Sequence, residues 1–255
     1  MSSLRTLGFA CTLVAATAMT AYAAGPRAKT STTPDAATAV EMFAAVDQGQ
    51  IEVRVIPKDS TKANLLIENK SDQPLSVKLP AAFAGIPALA QDDGGFGGGG
   101  GGGGGGGNQS FGGGGGGGGD FGDGGGGGFF NVAPEQIAKV ELTIVCLEHG
   151  KADPRPAIPY KIIPIEEYTS NKSVHELLKL LGRGAVSQRV AQAAAWHLAN
   201  NMSWEELASK QLRFLTGVRR PYFSRNELAA AVRVVEASEK AAKKKPGKSD
   251  SMDQG

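Results

Sequence analysis

The chain has 255 residues, 41% of them hydrophobic and 20% charged, but 37 are glycine and most of these fall in one tract, so the foldable part is shorter than the length implies. Lysine plus arginine (27) nearly balance aspartate plus glutamate (25), and the only basic run is Lys240 to Lys248. That distribution excludes a broad nucleic-acid footprint, which needs a clustered basic face.

Residues 1–24 are expected to be a secretory signal peptide. Arg5 supplies a positive start, Leu7 to Met19 is largely apolar and uncharged, and Ala21-Tyr-Ala23 is a small-x-small cleavage site. A membrane anchor would need about 20 apolar residues, and this run is shorter and rich in Ala and Thr. A lipidated cysteine is disfavoured because Gly8 stands three residues before Cys11 where a leucine belongs. No later segment is apolar enough to span a bilayer, so the protein is expected to be secreted, periplasmic or at the cell surface. Removal of Cys11 leaves Cys146 as the one thiol in an oxidising compartment. Intermolecular pairing, a reactive role and plain burial all stay open for it.

A Ser/Thr/Pro/Ala-rich linker, 25–37, leads into a short helical start around Thr38 to Asp47 and then strand-like runs. These are Ile51 to Ile56, Ala63 to Ile67 and Leu75 to Leu79, separated by turn-forming Pro57-Lys-Asp-Ser-Thr61 and Asn69-Lys-Ser-Asp-Gln-Pro74. Their spacing predicts an Ig-like antiparallel β-sandwich whose first part spans 38–91. Three strands cannot close a sandwich, so the remaining ones must lie beyond the glycine tract.

That tract, 92–128, contains Phe96, Phe111 and Phe121 among its glycines. Glycine loses the most entropy on ordering and buries no side chain, so the tract is expected to be a disordered loop. It reads either as a sticky Phe/Gly surface loop or as an expansion without function. Its many GxGxxG matches carry no dinucleotide information, because polyglycine matches any glycine motif.

Strand character resumes at Phe129, runs strongly from Ala138 to Leu147, and returns at Tyr160 to Ile165, giving 129–168 as the rest of the β-sandwich with Cys146 near a strand end. From there the period becomes helical. Ser173-Val-His-Glu176, Ser203-Trp-Glu-Glu206 and Ser224-Arg-Asn-Glu227 have the capping-box form. Helices are expected over about 173–182, 186–200, 203–216 and 224–242, a small helical subdomain of 173–242. A basic, polar tail of 243–255 follows and is expected to be disordered. The fold class expected is therefore α+β.

Two side chains carry the chemical interest. Val190 to Ala199 is apolar except for Gln192 and His197, and an Ala-rich helix of this kind approaches its neighbours closely. A carboxamide buried in such a contact needs partners. If the strand end packs on this helix, the Cys146 thiol could attack the Gln192 amide carbon, expel ammonia and leave a thioester, with Trp196 one turn away as a shield from water. The competing reading makes Gln188, Arg189 and Gln192 a polar helical stripe and Cys146 a buried small hydrophobe.

Cys146-Leu-Glu-His-Gly-Lys151, the prolines and Tyr160 downstream, the Leu178 to Gly182 helix end and Gln192-Ala-Ala-Ala-Trp196 resemble the thioester domains of bacterial surface adhesins. In that family a cysteine at a strand end is joined to a glutamine in a helix. Val145 stands where its members usually carry an aromatic, the chain between cysteine and glutamine is much shorter here, and no sorting signal is present. The resemblance implies an adhesion-type binding protein, not an enzyme, whose partner is a protein or surface amine. The alternative is a non-catalytic structural or interaction module of the cell envelope.

His149 and His197 are candidate supports, since imidazole titrates near neutrality and could move the proton. Their structural alternatives are a turn cap for His149 and helix-interface packing for His197, with His175 exposed at an N-terminal turn. No cofactor and no metal are expected: His175-Glu-Leu-Leu-Lys179 lacks a second histidine, and one cysteine with scattered histidines has no ligand spacing. A cysteine hydrolase is disfavoured, because nothing places the thiol at a helix N-terminus or beside a basic cluster.

Overall fold

The computed structural model describes residues 39–88, 107–115 and 128–244. The expected signal peptide, the linker, most of the glycine tract with Phe96 and Phe121, and the tail from residue 245 lie outside the described residues.

The chain opens with β1 (Ala39–Glu41) and α1 (Met42–Asp47), followed by β2 (Ile51–Pro57), β3 (Lys62–Asn69), β4 (Leu75–Lys78) and β5 (Phe83–Pro87). Next come β6 (Phe111–Gly113), β7 (Phe129–Val132), β8 (Ile137–Cys146) and β9 (Tyr160–Pro164). The helical part holds α2 (Ile165–Tyr168), α3 (Lys172–Gly182), α4 (Gln188–Asn200), α5 (Trp204–Ser209) and α6 (Arg225–Lys243). Between α5 and α6 stands a hairpin of β10 (Gln211–Arg213) and β11 (Arg219–Pro221). The protein is α+β, with five of its six described helices in the C-terminal part of the chain, from Ile165 onward.

The sheet is not a sandwich. Six strands close a barrel in the order β2-β3-β8-β6-β5-β9, and β9 returns to β2 at the Val55–Tyr160 pair. A separate small sheet, β1-β4-β7, takes β4 out of the main sheet. The difference comes from two strands without a readable pattern. β5 is the short Phe-Ala-Gly-Ile-Pro, and β6 is Phe-Gly-Gly from inside the glycine tract.

Residues 107–115 thus contradict the expectation of a disordered 92–128 loop, and Phe111 is a core residue rather than a sticky surface aromatic. Phe111 is fully buried in the barrel, its ring 5.2 Å from that of Tyr160. A Cβ on Gly85 would lie 2.1 Å from the Phe111 ring, and one on Gly112 would lie 2.7 Å from both terminal methyls of Leu178 in α3. The glycines of β5 and β6 therefore leave room that neighbouring side chains fill. Ordering each costs roughly 0.5–1 kcal/mol relative to alanine. Burying Phe111 returns about 1.5–3 kcal/mol, and the strand also completes the backbone pairing of β5 and β8.

Alternation along β3 and the first part of β8 is the half-buried kind: Ala63, Leu65, Ile67 and then Val140, Leu142 and Ile144 point inward. From Ile144 the pattern changes, and Val145, Cys146 and Leu147 are buried in succession. Both faces of β8 are covered there, with Ile144 in the barrel core and Val145 and Leu147 in a second core shared with the helices.

Three helix boundaries differ from expectation. The helical start expected around Thr38 is strand as far as Glu41, so α1 begins only at Met42. Asn171, not Ser173, caps α3 by accepting from the Ser173 N–H, while Glu176 pairs with Lys179 at 2.8 Å. The Ser203–Glu206 and Ser224–Glu227 capping boxes form as expected. The helix beginning at Trp204 stops at Ser209, where the backbone turns extended at Lys210, and Gly217, at φ 79°, serves a hairpin turn rather than a helix end. Among the described residues no helix is long and apolar enough to cross a membrane.

Candidate functional site

The site forms where β3 runs out beside β8. The last rungs are Lys62 opposite Thr143 and the Ile144 N–H donating to Thr61 O at 2.8 Å. The chain then bends away, held by the Asp59 carboxylate, which accepts from the Thr61 N–H at 2.7 Å and the Lys62 N–H at 3.0 Å. Among the described residues no strand pairs with the next backbone groups on this edge of β8.

Helix α4 supplies the partners from side chains. Gln188 Nε2 donates to Ile144 O at 3.1 Å, the Cys146 N–H donates to Gln192 Oε1 at 2.8 Å, and Gln192 Nε2 donates to Cys146 O at 2.9 Å. The spacing has a simple cause. Four residues of helix rise about 6 Å, close to the advance of about 6.7 Å made by two residues of strand. Two glutamines one turn apart therefore match Ile144 and Cys146. Close approach is allowed by Ala191, Ala193, Ala194 and Ala195, all fully buried, while Gln192 is 3% exposed.

The structure thus brings Cys146 and Gln192 together. The thiol is free and buried, and Sγ lies 3.7 Å from Ser60 O, just ahead of the last β3 rung. The thiol therefore leans toward the same edge of β8 that Gln192 fills. Burial pushes its pKa far above the usual thiol range, and the negative charges of Asp153 and Asp59 push it further. Burial therefore favours the protonated thiol over the thiolate.

Trp196 lies one turn beyond Gln192, is buried, and sits under an aromatic cover. Its ring is 5.4 Å from Tyr222 and 5.8 Å from Phe223, with His149 edge-on at 4.8 Å. Lys210 Nζ stands 5.2 Å from the Trp196 centroid and donates to His149 Nε2 at 2.9 Å, which makes His149 a neutral acceptor. Burial, followed by the Lys210 charge, lowers the His149 pKa. Arg189 ties the cover to the helices, lying 5.6 Å from the Tyr222 and Phe223 centroids, pairing with Glu227 at 2.6 Å and donating to Tyr222 O.

The histidines take different places. His149 is exposed and edge-on to Trp196, and its backbone N–H donates to Asn200 Oδ1 at 3.1 Å. His197 turns away: Nδ1 meets Met202 O at 2.7 Å and the ring stacks on Trp204 at 4.2 Å, so it packs a helix end rather than supporting the cysteine. His175 is buried rather than exposed, with Nε2 2.7 Å from Thr169 O. Among the described residues no cluster of three His, Cys, Asp or Glu side chains could hold a metal ion.

Sequence reasoning missed Lys210, Tyr222 and Phe223, which reach the site from around the hairpin. Gln188 was visible only as part of a polar stripe. Its signal was the four-residue spacing to Gln192. No family model, curated protein or solved structure matches the chain.

Proposed function

We propose that this is an exported binding protein of the adhesion type in which Cys146 and Gln192 form an intramolecular thioester that acylates an amine of a surface partner. The reading rests on one observation: the Gln192 carboxamide is buried with both ends hydrogen-bonded to the main chain of Cys146.

The arrangement supplies three things the reaction needs. The two hydrogen bonds fix the carboxamide beside the Cys146 main chain, so the proposed attack is intramolecular and its high effective concentration would offset the small thiolate population. The Cys146 N–H already points at Oε1, where negative charge develops when sulfur adds to Cδ. Trp196 and the rings of Tyr222 and Phe223 keep water from the product. In the reaction the S–Cδ bond forms, the Cδ–Nε2 bond breaks, the thiol proton passes to the departing nitrogen, and ammonia leaves. A partner amine later attacks Cδ, an amide forms, and Cys146 regains its proton as a thiol. No oxidant, metal or cofactor enters the balance.

A specific observation favours a second reading. Gln188 makes half of this pairing at Ile144, donating to its carbonyl oxygen where no thiol stands, so glutamines on α4 can act simply as a substitute strand. In that case the protein is a non-catalytic module of the cell envelope, and Cys146 is a small buried hydrophobe.

Intact mass of the protein from an export-competent host separates the two. The thioester reading expects a deficit of one ammonia that is absent from Gln192→Ala and is replaced by the added mass of methylamine after incubation. An unmodified mass, with Cys146 fully alkylated in denaturant, refutes it and leaves the envelope module.

A further inference from the structure

Among the described residues, neither the barrel core nor the helical core includes a residue of the β10–β11 hairpin. All residues from Gln211 to Pro221 are exposed, and its apolar side chains are among the most exposed of the described residues: Leu215 at 109%, Val218 at 49%, Phe214 at 46% and Leu212 at 39%.

Its register sorts these side chains. Leu212 pairs with Arg220 and Arg213 with Arg219, while the Phe214 N–H donates to Val218 O across the turn. Strand alternation then puts Leu212, Phe214 and Val218 on one face with Arg220, whose guanidinium lies 5.8 Å from the Phe214 centroid. Arg213 and Arg219 share the other face. From Lys210 to Arg225 there is no carboxylate to neutralise these cations. The result is a projecting apolar tip ringed by guanidinium groups.

We propose that this hairpin is a membrane-docking element, with Phe214, Leu215 and Val218 entering the interfacial layer of an anionic phospholipid surface while Arg213, Arg219 and Arg220 engage the headgroup phosphates. Two observations choose lipid over a protein partner. The tip is convex, a two-stranded turn with Leu215 bare on all sides, which suits insertion into a deformable layer. Apolar and cationic groups also occur in the order an anionic bilayer presents their complements, acyl chain below and phosphate above. Guanidinium groups bind phosphate through paired N–H donors, so arginine suits this task better than lysine.

The test is co-sedimentation of the protein purified from an export-competent host with vesicles of phosphatidylcholine alone and of phosphatidylcholine with phosphatidylglycerol. The hairpin expects binding to the anionic vesicles that weakens with salt. Phe214→Ser with Leu215→Ser should reduce it by about tenfold. Arg219→Gln with Arg220→Gln should reduce it by roughly thirtyfold at low salt. Because these side chains are exposed, the variants should keep the wild-type melting temperature, which shows that loss of binding is not loss of fold. Binding that persists in both variants belongs to the lysines near the C-terminus and overturns the proposal. Absence of binding to anionic vesicles by the wild type overturns it too and points to a protein partner for the tip.

Discussion

Helices α3 and α4 dock onto neighbouring strands of the same barrel by opposite means. The α3 seam is made by absent side chains: a Cβ on Gly114 would lie 2.4 Å from Ala81 O and 2.8 Å from Leu178 O, and one on Gly182 would lie 2.7 Å from the backbone of Gly114. The α4 seam is made by side chains that imitate a backbone, with Gln188 and Gln192 completing the pairing of β8. One seam reaches contact by removing atoms, the other by adding polar ones. The first tolerates no growth, and the second tolerates no loss of hydrogen-bonding groups.

The sharpest way to break the glycine side of this contrast is to remove what it accommodates. Phe111→Ala is expected to destabilise the protein by about 3–5 kcal/mol, because a buried ring is deleted and Gly85, which lies against it, has no side chain to refill the space. Denaturant unfolding would read this as a lower midpoint at similar slope. A truly disordered tract would make the substitution neutral. Next in size is Gly114→Ala, expected to cost about 3 kcal/mol because the new methyl meets carbonyl oxygens of the backbone rather than a movable side chain. Gly184→Ala provides a calibration: it has open space around it but φ of 69°, so strain alone should cost about 1–2 kcal/mol.

These two seams were unequally legible in the sequence. Gln192 could be singled out because a lone carboxamide in Val190 to Ala199 breaks an apolar composition, and Cys146 because it ends an apolar run. That the two meet follows from β3 ending at Lys62, a long-range fact that local pattern does not contain. Phe111 was hidden for a different reason. A strand of Phe-Gly-Gly has no alternation, and its stability comes from atoms belonging to β5, β8 and α3. The barrel was misread as a sandwich for the same cause, since β5 and β6 are the strands that convert an open sheet into a ring. Gly217 shows the ambiguity of a glycine after a helical pattern, which signals a cap or a hairpin turn equally well.

On the polar seam, Gln192→Leu is expected to cost about 2–3 kcal/mol, since it keeps volume but strands the buried N–H and C=O of Cys146 without partners. Gln188→Leu, which strands only Ile144 O, should cost about half as much. Equal costs would mean that α4 docks by its alanines and that the carboxamides contribute little. Hydrogen exchange at the Cys146 amide sharpens the comparison, because only Gln192→Leu should raise its rate strongly.

The smallest effect separates a free thiol from a thioester within this seam. If Cys146 is a thiol, its folded pKa lies far above the unfolded value of about 8.5. The folded state then holds its proton where the unfolded state loses it, so the stability this contributes is fully present below pH 8.5 and declines as pH rises. The slope is up to about 1.4 kcal/mol per pH unit. Tyr160 and Tyr168, pushed up by burial to about 12, add a similar alkaline decline only above their unfolded pKa of about 10. The window between pH 8.5 and 10 therefore reports Cys146, and its contribution is the difference in slope between wild type and Cys146→Ala in urea unfolding. A thioester has no thiol proton in either state while the bond survives, so the two slopes would coincide. A decline confined to the wild type would assign Gln192 to the same work as Gln188, pairing a strand edge and nothing more.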